Sequence, residues 1–389
     1  MLSLPELSPE LGLTIKYLTL GAFALFLGLQ FYYYLAYWLA VIRRTGRTPQ
    51  VPPVGSEPVS VVLYARNQAD QILRNLPMWM EQAYPEFEIV LVNDRSYDES
   101  RDVILDMQAR YPALRVVDVM EQEKHPTDRK FAITLGIKAA AHARLLFGHI
   151  DALPASKQWI QHMQGAFDGQ QEREIVLGYT GYTHYPGLGT ALMQWDSLRE
   201  SLRLFGHAIR RRAFAGDGRN MGYLKGLFFF RKGFIAHVRH PSGEDDLFVH
   251  VAATRVNVGI CLDAPAFMHI SEVKSFGWFW KRKLKYVGNR RFYDSGDRSV
   301  LSFWGWLPWL VFLTGTAGVW VTLHEPLFMW SVVAAMAGTL LLRWTLLSVA
   351  MRRFQIPVFF LLVPVLELIY LLLSAAWTIR ASAGRPVDA

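Results

Sequence analysis

Four apolar runs of membrane-spanning length bracket one long polar segment, and this arrangement limits the fold more than any single motif does. The runs are Thr14 to Ile42, Leu301 to Leu323, Leu327 to Met351 and Val358 to Ile379. A helix of about twenty apolar residues crosses the hydrocarbon of a bilayer. Backbone polar groups there must be satisfied internally, so such runs read as helices and the stretch between them as a water-facing domain. The first run ends in Arg43-Arg44 and Arg47, and Arg352-Arg353 follows the third. The positive-inside rule puts both of these ends, and the domain, in the cytoplasm and the N-terminus outside. The first run is too long, and its lead-in through Glu6 and Glu10 too acidic, for a signal peptide. His324-Glu325-Pro326 reads as a tight outer turn. A fourth crossing would put Arg380 and Arg385 outside, which the same rule disfavours. Within the last two runs, Arg343 lies about 10 Å from one helix end and Glu367 about 15 Å from another, at the rise of an α-helix. They are placed to pair across a hairpin; the other reading has Arg343 snorkelling to the interface.

The formal charge of +8 belongs mainly to Lys and Arg beside apolar segments. An anionic membrane surface explains that placement, and no nucleic-acid-binding module is present. Cys261 is the only cysteine, so no intramolecular disulfide forms and a reducing compartment is implied.

Pro52-Pro53 and Gly55 mark a linker. After it come alternating patterns: a buried strand at Val59–Tyr64, a helix from Gln71 to Met80, and a strand at Glu88–Val92. A helix from Ser100 to Arg110, a strand at Leu114–Val119, a helix from Phe131 to Ala143 and a short strand at Leu145–Gly148 complete the series. Strands alternating with helices predict an α/β fold with a mostly parallel sheet and right-handed crossovers. Ligands of such sheets bind at the carboxyl ends of the strands. Asn67, Asp94 and Asp151 all fall there, and Gly243-Glu244-Asp245-Asp246-Leu247-Phe248 adds a downstream acidic cluster. Carboxylates gathered in this way suit an enzyme that handles a metal-bound phosphate. Ser275 to Tyr286 mixes aromatic and cationic residues and predicts a helix in the membrane interface, rings in the headgroups and cations toward phosphate.

Five motifs in order resemble a family 2 glycosyltransferase of the membrane-anchored branch. Pro58-Val59-Ser60-Val61-Val62 with Ala65-Arg66-Asn67-Gln68-Ala69 looks like its opening strand and loop. Val92-Asn93-Asp94-Arg95-Ser96-Tyr97-Asp98 resembles its Asp-Asp-x-Ser-x-Asp turn, and Lys130-Phe131-Ala132 its Lys-x-x-Ala helix. Gly218-Arg219-Asn220-Met221-Gly222-Tyr223 and Gly243 to Phe248 look like its acceptor-side motifs. The resemblance implies a GT-A nucleotide-diphospho-sugar transferase domain with a mostly parallel mixed sheet, and an inverting transfer from a nucleotide-sugar to a membrane-presented, lipid-linked acceptor. It implies nucleotide contacts from Ala65, Arg66, Asn67, Asp94, Lys130 and His149. Asp151 would bind a divalent cation, Mg2+ or Mn2+, and Asp245 would act as general base, its proton affinity raised by Glu244 and Asp246. Arg219, Asn220, Glu244, Asp246, Arg282, Lys285 and Tyr286 fall on the acceptor side.

Two departures stand out. The family's Asp-x-Asp is His149-Ile150-Asp151 here, so His149 is either a nitrogen ligand, a hydrogen-bond donor to the nucleotide, or without a ligand role. The family's Gln-x-x-Arg-Trp is replaced by Arg282-Lys283-Leu284-Lys285-Tyr286, which leaves open whether this segment reaches the site at all. Asp94 and Asp245 also have plain readings, as a helix cap and an acidic helix start. The organisation expected is a membrane helix in 1–48, a cytoplasmic domain in 57–272, an interfacial segment in 273–298 and three further membrane helices in 300–380, in an inner (cell) membrane. The alternatives are a processive polysaccharide synthase, a catalytically silent membrane scaffold, and a transporter, for which no substrate pathway is visible.

Overall fold

The computed structural model describes residues 9–46, 57–120, 129–168, 173–238, 240, 242–272, 274–357 and 360–382. The chain opens with α1 (Pro9–Tyr33), one wide π turn (Tyr34–Trp38) and α2 (Leu39–Thr45). The central domain runs β1 (Val59–Ala65), α3 (Ala69–Met80), β2 (Phe87–Asp94), α4 (Ser100–Arg110), β3 (Leu114–Val119), α5 (Arg129–Ala139), β4 (Arg144–His149) and β5 (Ala152–Pro154). It continues with α6 (Trp159–Gly165), β6 (Ile175–Gly178), β7 (Thr180–Tyr182), α7 (Leu188–Ile209), β8 (Met221–Leu224), α8 (Lys225–Phe230), α9 (Asp246–Ala252), β9 (Val258–Cys261) and β10 (Met268–Ile270). The helices α10 (Phe276–Asn289), α11 (Ser295–Val321), α12 (Pro326–Arg353) and α13 (Val363–Ser382) follow.

The main sheet has seven strands in the order β3-β2-β1-β4-β8-β6-β9. β1, β2, β3 and β4 are mutually parallel, and β8 runs antiparallel to both β4 and β6. β1 reads Val-Ser-Val-Val-Leu-Tyr-Ala and all but Tyr64 are buried, as a central parallel strand covered on both faces requires. α3 shows the complementary pattern. Ile72, Asn75, Leu76 and Trp79 recur on one helical face and are buried. Truncating a residue packed like Trp79 costs about 3–5 kcal/mol. The expected mostly parallel mixed sheet with flanking helices is therefore what the chain forms. The expected helix over 131–143 starts two residues earlier and ends at Ala139, because β4 must start at Arg144 to pair with Val59.

Register carries the function. Tyr64 pairs with His149 and Ala65 with Asn93, so β1, β2 and β4 end side by side. A second sheet, β5-β10-β7, lies just beyond β4.

Four helices are long and apolar enough to cross a membrane: 10–45, 295–321, 326–353 and 363–381. Lys16 near the start of α1 ion-pairs with Glu325 in the α11–α12 turn, and Arg353 at the end of α12 donates to the Gly46 carbonyl. The first and third helices therefore share their two end levels, and the turn at 324–326 lies level with the start of α1. Arg343 and Glu367 do pair, at 2.6 and 2.8 Å, with a third member not anticipated from sequence. Arg199 of α7 reaches the same carboxylate at 3.3 Å. Residues 358–359, the start of the fourth apolar run, lie outside the described residues.

Candidate active site

The loops after β1 and β2 are stitched together. Asn67 adopts a left-handed backbone, φ 51°, which Asn tolerates better than most residues. Its Oδ1 accepts from Tyr97 N, and its own N–H donates to Ser96 Oγ. Asp98 accepts from the backbone N–H groups of Ala69 and Ser100, so Asp98, not Asp94, caps the neighbouring helix starts. Slight burial opposes ionisation of Asp98, but these donors lower its pKa on balance. Asp94 is fully buried and takes Tyr64 Oη at 2.7 Å and Arg95 Nε at 2.7 Å. The carboxylate expected to receive a nucleotide is thus committed to two side chains. Ala65 is buried beneath this loop, while Arg66 is half-buried at its rim.

One strand further, His149 and Asp151 stand with Nδ1 and Oδ1 4.0 Å apart. Both Asp151 oxygens are gripped by Arg219, whose Nε and Nη2 donate at 3.1 Å each, and Lys274 lies at 3.5 Å. Burial favours the neutral acid, but the Arg219 guanidinium overrides it and holds the Asp151 carboxyl at about 2. His149 is pushed the other way. Burial, then Arg129, Arg219, Lys285 and Arg282, hold its pKa well below the usual imidazole value. It is therefore a neutral ring, able to donate a hydrogen bond or offer a lone pair. Arg129 contacts its Nε2 and stacks on Tyr64 at 4.1 Å. Among the described residues no group of three or more His, Cys, Asp or Glu is placed to hold a metal ion. One imidazole and one carboxylate make a two-point donor set of the kind that a diphosphate completes.

The segment 217–219 joins this half of the site to the other. Gly218 N donates to Asp245 Oδ2 at 3.3 Å. A Cβ built on Gly218 would lie 3.3 Å from Asp245 Cβ and 3.7 Å from His149 Nε2. Asp245 and His149 thus flank one glycine, and Arg219, the next residue, holds Asp151. Gly243, at φ +104°, makes the sharp entry that only glycine accepts readily, and Asp245 then caps α9 through Asp246 N.

The three adjacent acids have three different environments. Asp245 accepts from Tyr286 Oη at 2.8 Å. Glu244 faces Lys285 at 2.9 Å and Arg129 at 3.3 Å; burial opposes ionisation, but these cations hold it well below the usual carboxylate range. Asp246 is buried against Asn289 at 2.9 Å, and burial, then Asp245, push its pKa well up. Asp246, held by Asn289 and Tyr293, is thus an acid of this run that burial keeps neutral more readily.

Further expectations are corrected by these contacts. The Lys130 ammonium is buried and donates to the carbonyls of His237 and His240. Asn220 is fully buried and ties Trp159, Tyr179 and Ala266 together. Both brace the fold beneath the site. Conversely, the basic segment does reach the site. Arg282 bonds Tyr182 and Asp217 at 2.8 Å each, while Lys285 and Tyr286 engage Glu244 and Asp245. Arg282, Lys283 and Lys285 of α10 face carboxylates, because those acids lie within one side-chain length of the helix. Arg129, Lys274, Asp217 and Trp278 were not anticipated, although each adjoins a motif residue in sequence. Arg219, Lys274 and Arg282 all pack within 6 Å of the Trp278 ring. A cavity of about 120 Å³ lies between α7, α10 and the segment around Phe214, lined by Tyr182, Arg203, Phe214, Arg282, Tyr286 and Tyr293.

The chain belongs to the glycosyltransferase-like family 2, whose profile matches residues 56–261. Among solved structures it is similar to the mannosyltransferase PcManGT from Pyrobaculum calidifontis, solved in complex with GDP-Man and Mn2+. The TM-score is 0.51 at 17% identity, over 88% of this chain and 99% of that one. It is also similar to residues 1–349 of S. aureus TarS, with a TM-score of 0.42 at 16% identity over 61% of this chain and 66% of that one. The family match and the likeness to the mannosyltransferase show the GT-A fold. No curated protein sequence matches.

Proposed function

We propose that this chain transfers a sugar from a nucleotide-diphosphate donor, with inversion, to an alcohol or phosphate presented at the membrane. The observation that carries this reading is the placement of Asp151 and Asp245 on either side of Gly218-Arg219, at the open ends of β1, β2 and β4. The donor diphosphate lies by Asp151, among Arg219, Lys274 and Arg282, where fixed cations offset the charge that builds on the leaving group. Ala65, Arg66 and Asn67 line the nucleotide side. The acceptor occupies the cavity by Tyr286 and Tyr293. Asp245 takes the acceptor proton as its oxygen attacks the anomeric carbon, and the bonding pair of the C–O bond departs on the diphosphate. Tyr286 and Gly218 N position the carboxylate. Held ionised, Glu244 fixes Lys285 and Arg129 near the reacting groups.

A divalent cation, Mg2+ or Mn2+, fits His149 and Asp151 and would supply further neutralisation of the diphosphate. The Pyrobaculum mannosyltransferase, with its bound GDP-Man and Mn2+, supplies the first probes. The domain-side ends of the membrane helices suit a domain facing the cytoplasm from the inner membrane.

The test is a thermal-shift screen of the purified chain with uridine, guanosine and thymidine diphosphates, each with Mg2+ or Mn2+. Binding of one of these, with Asp245→Asn abolishing transfer but not binding, supports the reading. No binding of any nucleotide, or near-normal turnover by the Asn variant, overturns it.

A further inference from the structure

Three membrane helices keep to one slab. Lys16 to Tyr33 in α1, Trp304 to Thr322 at the end of α11, and Pro326 to Arg343 in α12 each cover about 26 Å at the α-helical rise. One face of the slab is set by the Lys16–Glu325 pair. The other is set by Tyr33 stacked on Trp304 at 4.7 Å, and by Arg343 at 5.7 Å from Trp38. These are the aromatic and cationic anchors expected where hydrocarbon ends.

α13 begins at that second face, where Glu367 meets Arg343, and it does not re-enter the slab. Tyr370 lies under the Arg199 guanidinium at 4.2 Å and donates to Glu200 at 3.4 Å. Two turns on, Trp377 packs on Phe279 and Trp280 of α10, at 5.6 and 5.7 Å. Lys283, whose ammonium pairs with Asp196 and Glu200, lies 5.6 Å from the same ring. From Glu367 to Trp377, about 15 Å of helix, α13 runs along α7 and α10 of the water-facing domain. That cluster of charges cannot sit in hydrocarbon. Among the described residues, 378–382 remains of the helix, about 8 Å at the α-helical rise against the roughly 30 Å of a bilayer core. The opposite face carries Val365, Leu368, Leu372 and Ile379, all exposed, at the spacing of one apolar stripe.

We infer that α13 is not a fourth crossing. It lies in the membrane plane, its apolar stripe in the lipid leaflet on the domain side and its other face clamped on α10. The lipid leaflet is its occupant because the stripe continues the inner boundary drawn by Tyr33, Trp304 and Arg343. Arg380 then stays on the side that the positive-inside rule prefers. The clamped helix is the one whose Arg282, Lys285 and Tyr286 meet Asp217, Glu244 and Asp245, so α13 joins the bilayer surface to that helix. None of this rests on the sugar-transfer reading.

The experiment places a short epitope after residue 389 of the full chain, in sealed vesicles whose catalytic domains face the medium. Added protease is expected to remove the epitope in step with digestion of the domain. In parallel, a Leu372→Cys variant carrying a fluorophore is quenched by nitroxides on lipid headgroups and upper acyl chains, about 5–10 Å into the leaflet. An epitope protected while the domain is digested, or strongest quenching at the bilayer centre, overturns the inference.

Discussion

Arg219 and Gly218 carry most of what is distinctive at the residue scale. Against burial, which raises it, Arg219 with help from Lys274 and Arg282 depresses the Asp151 carboxyl from 3.8 to about 2. The contribution of a depressed acid is fully present above its unfolded value and is lost as the pH falls through the folded value, here between about pH 4 and pH 2. Arg219→Gln is therefore expected to lower stability at pH 7 by about 2 kcal/mol, and by less at pH 3. Thermal unfolding at the two pH values measures this, and an equal loss at both would refute it. Arg219 also occupies the oxygens that a cation needs. Mn2+ should bind weakly to the protein alone and more tightly with nucleotide, while Arg219→Gln should strengthen binding without nucleotide; titration calorimetry reads both. Gly218→Ala places a methyl 3.3 Å from Asp245 Cβ. The fold should tolerate it, but the displaced carboxylate should slow transfer by about tenfold or more with nucleotide affinity kept, given how steeply rate depends on alignment. A kcat unchanged by this substitution would remove Gly218 from the positioning of the base.

Among the elements, α10 was the least legible. Its mixture of rings and cations reads as a membrane-surface helix, and nothing local says which face meets what. In the fold its two faces part company. Phe279 and Trp280 meet Trp377, while Lys285 and Tyr286 meet the acidic loop about forty residues upstream and Arg282 meets Asp217 and Tyr182. β1, β2 and β4 were legible because a strand buried on both faces needs a continuous apolar run, and their ends locate a ligand site by topology alone. The α12–α13 pairing was half legible. Spacing brought Arg343 to Glu367, but Arg199 comes from α7, more than 140 residues earlier in the chain. Glu367→Leu should destabilise more than the Arg343→Met/Glu367→Leu double variant, because the single change strands a buried guanidinium. Denaturation of the detergent-solubilised protein would compare them, and an equal or smaller loss in the single variant would break the argument.

At the scale of the whole molecule, the membrane helices and the catalytic domain are one construction. α1 continues through Tyr34–Trp38 into contact with α7, and Phe354, just past α12, packs on Tyr179 and Phe267 inside the domain. The candidate site is thereby held at a fixed separation from the apolar helices. The sequence alone determined the fold class, the apolar helices, the order of the β/α units and the neighbourhood of the acidic motifs. Those follow from periodicity, hydrophobic length and short motifs, all local properties of a chain. Only the tertiary structure decided that Asp94, Lys130, Asn220 and Asp246 are bound inward, that Arg219 closes over Asp151, and that α10 turns its cations to the site. A carboxylate's role depends on which cations and hydrogen-bond donors surround it, and here many of those partners come from segments tens of residues away.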